Sequence, residues 1–209
     1  PEVNNAYDGT MIAGLHAAMD DLGQRSGVRV VLLTGNGRHF QAGADLIKVM
    51  ATRPALSPPF RGGPSFSIKE MQPGVADARA AGLRVAAHAH TSVDGIRNAV
   101  LAGVDRIEHG DPADDHTLDE MAARGTILVP TLAVWYWMLE ADAQGVCPLG
   151  QPVRKALPQR YERALDTVRR ARERGVPIAL GTDAGYTAVP HGASAKELAL
   201  LVQAGLTPM

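Results

Sequence analysis

"GLRVAAHAHTSVDGIRNAVLAGVDRIEHG", residues 82–110, runs through one rhythm twice. A glycine stops a helix, a short apolar strand follows at once, and the strand ends near a histidine. Gly82 precedes "LRVAAHAH"; a helix over about Val93–Ala102 then reaches Gly103, which precedes "VDRIEHG". Glycine is the usual residue just past a helix end because it enters the left-handed region at no steric cost. A strand that follows each helix directly needs a crossover to reach its neighbour, so the strands are parallel.

The rhythm extends both ways. The spacing predicts a helix over about Ser67–Ala81, one over about His116–Ala123 ending near Gly125 before "TILVPTL", and one over about Pro152–Arg174 reaching Gly175 before "VPIALGTDAG". "LIKVMAT" is a further short strand, and residues 53–66, dense in Pro and Gly, read as loop. The strands are β-branched and apolar, as strands buried on both faces are. The fold class is α/β, and the polar residues gather at the C-terminal ends of the strands, where a (β/α) barrel builds its active site.

The 209 residues carry a net charge of -1 and 45% hydrophobic residues, a globular composition without the basic excess that nucleic acid or an anionic membrane calls for. No apolar run is long enough to span a bilayer. The single cysteine, Cys147, cannot close an internal disulfide, which fits a reducing cytoplasm. The chain opens on Pro1 and ends at "QAGLTPM", so both ends read as truncated.

Four strand ends each deliver one nitrogen or oxygen donor: Lys48 in "IKVM", His88 in "VAAHAH", His109 in "RIEHG" and Asp183 in "LGTDAG". Imidazole and carboxylate suit zinc and its first-row neighbours. A lysine becomes an anionic ligand only as a carbamate, and Asp183 is placed to take a proton from water that a metal has acidified. Each residue alone has a plainer reading: a hydrogen-bonded core histidine, a solvated lysine, an aspartate in a turn. The alignment of four in one rhythm is what the plainer reading does not supply. His90 shares a strand face with His88 and is either a substrate contact or a structural group. His191, in the loop after the last strand, is a substrate-binding candidate. His16, His39 and His116 have the plain reading. "WYW", Trp135–Trp137, packs a core or, through Tyr136, walls a substrate pocket.

From about residue 46 to the end, "IKVMAT", "GLRVAAHAH", "AGVDRIEHG", "VPTL", "GTDAG" and "ELALLVQAGLTPM" together resemble the amidohydrolase superfamily, in its imidazolonepropionase-like and Xaa-Pro dipeptidase branch. The resemblance implies Lys48 as a carbamate bridging two metals, His88 and His109 as ligands of the more buried one, and Asp183 as ligand and general base. It implies hydrolysis of a C–N bond in a dipeptide, an imidazolone or a lactam. The family's first strand carries a His-x-His; the sequence holds that pattern only at His88–His90, in the fifth-strand position. The expectation is therefore about the last five βα units of a (β/α)8 metallohydrolase barrel, at most one divalent ion, and impaired activity.

"GRHFQAGADLIKVMATR", residues 37–53, links this to a different resemblance. Residues 1–46, with "PEVNNA" and "GRHFQAGADL", resemble an internal stretch of the crotonase (enoyl-CoA hydratase/isomerase) superfamily. That implies a helix–strand fragment in which the Ala44 N–H forms half of an oxyanion hole for an acyl-CoA thioester. The sequence thus divides into 1–46, a crotonase-like fragment, and 47–209, a partial amidohydrolase barrel, joined where both tolerate "GADL". Three functions follow: a metal-dependent amidohydrolase of small molecules, an acyl-CoA protein fragment, or a chimera without activity. An open barrel also leaves sheet edges through which copies could associate. In the strand pairing expected at the join, Ile47 and Val49 face the helices and Lys48 faces His88 and His109.

Overall fold

The computed structural model describes residues 17, 46–53, 62–146, 150–185 and 188–207. Ala44, His16, His39, Cys147 and nearly all of the crotonase-like stretch 1–46 lie outside the described residues.

Four parallel strands form the sheet, in the order β1 (Leu46–Met50), β4 (Arg84–Ala89), β5 (Arg106–His109), β6 (Ile127–Val129). The helices bounded within the described residues are α1 (Ile68–Ala80), α2 (Val93–Ala102), α3 (Asp115–Arg124), α4 (Leu132–Ala143), α5 (Gln151–Glu173) and α6 (Ala195–Gln203). The first three lie within a residue or two of the spans expected. Their ends are written locally: Ser67 and Glu70 form a reciprocal capping box on α1, Ser92 and Asp114 cap α2 and α3, and Gly103 and Gly125 end α2 and α3 in the left-handed conformation.

Other expectations are corrected. The segment 53–66 is not all loop: Gly63–Pro64 (β3) pairs antiparallel with Thr52–Arg53 (β2), so "LIKVMAT" breaks at Ala51 into two strands. β6 stops at Val129, because Thr131 turns left-handed at φ 50° and Leu132 already begins α4. "VPIALG" makes one bridge, Leu128 with Ile178, flanked by hydrogen bonds from Leu128 N–H to Pro177 O and from Ala179 N–H to Leu128 O. It occupies the next parallel position without extending into a ladder.

The sheet is not dry on both faces. Register places Ile47, Val49, Val85, Ala87, Ala89, Ile107 and Leu128 against the helices, where they join Ile96, Val100, Leu118, Met121, Leu165 and Val168 in the core. Lys48, His88, Arg106 and Glu108 share the opposite face, and their polar groups keep it partly wet. Packing of α2 against the β2–β3 hairpin is close. A Cβ on Gly95 would lie 2.4 Å from Thr52 Cγ2 and 3.3 Å from the Ala51 carbonyl oxygen, so glycine permits the approach. No helix among the described residues is long and apolar enough to cross a membrane.

Candidate active site

Among the described residues four non-glycine residues adopt positive φ: Thr91 (65°), His109 (71°), Thr131 (50°) and Asp183 (52°). All four lie at or just past the C-terminal ends of the parallel strands, on one rim of the fold. Residues other than Gly, Asn and Asp pay of order 1 kcal/mol or more for this conformation, and such strain concentrates where side chains are aimed for function.

His109 shows what the strain does. It is paired in register with Ala89, a helix-facing position. Simple alternation would therefore bury its imidazole among the helices. The positive φ turns it to the opposite face, where its Nε2 lies 2.9 Å from His88 Nδ1 and the two ring centroids are 4.6 Å apart. His90 completes a triangle of rings, 4.7 Å from His88 and 5.3 Å from His109.

Hydrogen bonding sets the tautomer. The Thr131 hydroxyl donates to the Pro130 carbonyl at 2.8 Å, so toward His109 its oxygen accepts. His109 Nδ1, 2.6 Å away, then carries the proton and donates it. The lone pair of His109 Nε2 is left pointing at His88 Nδ1. Burial is the main reason that all three imidazoles are hard to protonate. His109 lies well below the ordinary histidine value, helped by its two histidine neighbours and Lys48. His90 is pushed down to about 3, by burial first and then by His88, Arg160 and Arg163. His88 is lowered by burial and Lys48, against the opposing pull of Asp183 and Glu108. At neutral pH the cluster is uncharged, the form that binds metals.

Lys48 is on the expected face. Ile47 and Val49 pack against the core on the other side, and the Lys48 charge is close enough to act on His88 and His109. Its Nζ, however, is ion-paired with Glu108, whose other oxygen is 3.5 Å from Arg106 Nε. An ammonium so held has no lone pair to offer. Asp183 sits exposed on its strained turn, near enough for its charge to act on His88. His191 is exposed in the same loop, its Nε2 3.0 Å from where a Cβ on Gly185 would stand. Tyr136 meets Trp137 edge-on at 5.2 Å and carries Lys196 Nζ 4.1 Å from its ring centroid. The aromatic beside His90 is Trp135, 6.2 Å between centroids and 6% exposed. His116 is exposed at the start of α3, in keeping with its plain reading.

Do these residues fit a divalent metal? Two neutral imidazole nitrogens converge, one with its lone pair fixed by Thr131. Donors to one tetrahedral zinc stand about 3.4 Å apart. The observed 2.9 Å needs a small opening, and a shift of the His88 proton from Nδ1 to Nε2. The pair fits. A full set is not closed: among the described residues no three His, Cys, Asp or Glu side chains are placed to hold one metal ion. The described cavity, about 660 Å³, lies at the opposite end of the strands, lined by Leu46, Arg84, Asp105, Arg106 and Ile127 among others. It has no part in this cluster.

Three residues matter here that sequence reasoning did not single out. Glu108, one residue before His109, was visible as an acid inside the strand "RIEH". Thr131 carried no signal, because its role depends on φ. Glu197 is fully buried and accepts hydrogen bonds from the N–H groups of Leu132 at 2.9 Å and Ala133 at 2.6 Å, capping α4 directly after Thr131. Its signal was a charge on the apolar stripe with Leu200 and Leu201.

The amidohydrolase family model matches residues 5–209, a span that crosses the boundary drawn at residue 46. An uncharacterized protein of Mycobacterium tuberculosis (strain ATCC 25618 / H37Rv) is 40% identical over 149 residues, covering 69% of this chain and 38% of that protein. The ochratoxinase of Aspergillus niger is 33% identical over 172 residues, 80% of this chain and 34% of that one. Among solved structures, an Xaa-Pro dipeptidase with methionine bound in its active site superposes with a TM-score of 0.69 at 37% identity, over 79% of this chain and 40% of that one. The A. niger ochratoxinase structure gives 0.68 at 32% identity, over 80% and 37%. The chain thus spans about two fifths or less of the length of these relatives. The architecture is that of a parallel α/β fold like theirs.

Proposed function

The chain belongs to the amidohydrolase family, and from that premise we propose that it carries part of a site for metal-dependent hydrolysis of an amide or cyclic amide C–N bond. The observation that carries the reading is the neutral His88–His109 pair, with the His109 lone pair held toward its partner by Thr131. His88 and His109 would hold a divalent ion, zinc or a first-row neighbour, with Asp183 as an oxygen donor. Bound there, such an ion supplies Lewis acidity toward the carbonyl and lowers the pKa of water.

The chain's own residues do the rest. Asp183, exposed on the rim, takes the proton from the attacking water at its carboxylate and returns one to the leaving nitrogen. Lys48 joins as a ligand only after its pair with Glu108 opens. The ammonium gives one proton to solvent, the amine nitrogen adds to carbon dioxide, and a second N–H proton leaves to solvent to give the anionic carbamate. His90 and Trp135 wall the site on one side, while His191 and Tyr136 remain substrate contacts to be tested. The Xaa-Pro dipeptidase and ochratoxinase neighbours favour small-molecule amides with a dipeptide-like outline. No second His-x-His stands in the sequence, so the 209-residue chain assayed alone retains at most one ion and turns over weakly or not at all.

Elemental analysis of the purified chain, with His109→Ala beside it, tests the metal reading. One ion or fewer is expected, lost in the variant; two per chain at full occupancy refutes it. Robust amide hydrolysis that survives Asp183→Asn would refute the proton-handling role.

A further inference from the structure

Helix α5 is 23 residues long, about 34 Å, and one face of it carries a stripe of arginines. Most of them find acceptors in the segment between β5 and α3 or in the first turns of α3. Arg163 donates to Asp111 Oδ2 at 3.1 Å. Arg170 donates to the Ala113 carbonyl at 2.9 Å and to Asp115 at 2.8 Å. Arg174 reaches Asp115 at 2.6 Å and Asp119 at 3.2 Å. Arg160, one turn before Arg163, is half-buried on the same stripe and has no hydrogen-bond acceptor among the described residues. Its guanidinium carbon stands 5.8 Å from the centre of the Trp135 ring. Trp135 in turn is the ring beside His90, which touches His88 and His109.

The surroundings are rich in unused donors. Among the described residues the Trp135 Nε1–H and the Arg163 Nε–H are buried without a partner, and the acid that acts on Arg160, Asp111, is already engaged by Arg163. Two guanidinium groups therefore share one carboxylate two ring contacts from the paired histidines. A half-buried cation that shares its neighbouring carboxylate with a second guanidinium is only partly compensated, and a further anion would complete it. A planar guanidinium with free edges offers two parallel N–H groups, the geometry that matches a carboxylate.

We propose that Arg160 is a specificity-determining residue that binds the free carboxylate of the ligand, so that the site takes amides bearing a carboxylate rather than neutral ones. This rests on the amidohydrolase reading for the identity of the scissile bond, though not for the binding itself. The carboxylate lies beside Trp135, leaving the amide directed past His90 toward the His88–His109 pair.

The test is a titration of tryptophan fluorescence in the whole chain, with N-acetyl-L-leucine and its uncharged carboxamide as probes. Wild type is expected to bind the acid at least tenfold more tightly than the carboxamide. Arg160→Gln should weaken the acid by about ten- to a hundredfold, the range of a lost charge-assisted pair, and leave the carboxamide unchanged. Arg160→Lys should recover part of the loss, and Arg169→Gln, on the exposed side of α5, should change nothing. A melting temperature within a few degrees of wild type shows that Arg160→Gln folds; if it does not fold, the Lys variant carries the comparison. The proposal is overturned if wild type does not prefer the acid, or if the preference survives Arg160→Gln. Arg160-dependent preference in a chain with neither metal nor hydrolysis would sink the amidohydrolase reading and leave this one standing. Metal-dependent hydrolysis with no such preference would do the reverse.

Discussion

Glu197→Gln should change the sign of its effect with pH. The carboxylate is fully buried, and its two oxygens accept the Leu132 and Ala133 N–H groups at 2.9 and 2.6 Å. A glutamine can serve one of these donors with its carbonyl, but it turns an NH₂ toward the other. A buried donor left unsatisfied costs about 1–3 kcal/mol. Against this stands the cost of burying a charge. Burial pushes the Glu197 carboxyl up to about 7 from 4.5, and the two backbone N–H groups only partly offset the rise. The folded pKa is raised, so between pH 4.5 and 7 the folded protein keeps a proton that the unfolded chain has released. Stability from this group is therefore full below pH 4.5 and falls as pH rises through that window, by about 1.4 kcal/mol per unit. Between pH 5 and pH 8 the wild type loses about 3 kcal/mol that the glutamine variant does not.

The expected result is a variant about 1–3 kcal/mol less stable than wild type at pH 5 and equal or more stable at pH 8. Urea unfolding of both proteins at the two pH values measures it, and the subtraction cancels the titration of every other group. A difference that is the same at both pH values would refute the reasoning. A variant that falls further below wild type at pH 8 than at pH 5 would show that the N–H pair and the positive end of α4 outweigh burial. The position matters to the site because α4 begins immediately after Thr131, whose hydroxyl fixes His109.

Three further outcomes are expected. Thr131→Val removes the acceptor for His109 Nδ1–H and should weaken metal retention about ten- to a hundredfold, read by chelator competition; unchanged affinity would remove Thr131 from the site. His90, pushed down to about 3, stays neutral when the unfolded chain's histidine protonates, so its stability contribution is lost as pH falls below about 6.5. At pH 5 that loss is about 2 kcal/mol, and His90→Gln in chelator should be correspondingly less acid-sensitive in urea melts; equal sensitivity counts against a neutral His90. Gly95→Ala places a methyl 2.4 Å from Thr52 Cγ2 and should cost about 1–3 kcal/mol from overpacking, more than the roughly 1 kcal/mol of helix propensity it gains. A melting temperature at or above wild type would contradict that.

What could be read in the sequence follows from how locally each element is encoded. α1, α2 and α3 carry their own stop and start residues, from Ser67 with Glu70 to Gly125, and their spans were legible. So was the face of β1 that carries Lys48, because alternation is local. α4 was not legible. "LAVWYWML" is apolar all round, Thr131 makes no side-chain cap, and the capping acid comes from Glu197, 65 residues on from Leu132. "VPIALG" has a strand's composition, but whether a ladder forms depends on the partner beside it, and here one bridge is made. The reading of sheet burial failed for a related reason. Periodicity marks which residues alternate, while the wetness of the second face was set by Arg106 and Glu108, which an average over the strand conceals.

The histidine pair is the deepest case of the same distinction. Composition and position nominated His88 and His109 together, yet strand register sends them to opposite faces. Only the positive φ of His109 brings its ring round to His88, and that conformation is unfavourable for histidine taken alone. Something must hold it. The Thr131 hydroxyl does so at one end of the ring, from a residue itself at positive φ, and Glu197 anchors the helix that follows. Strain at the rim is thus carried by a connected set, with α6 at its far end, rather than by the strand. Glu197→Gln and Thr131→Val should therefore weaken metal retention less than additively when combined, because both loosen the same imidazole. Free energies of metal retention that simply add would mean that Glu197 stabilises α4 without reaching His109.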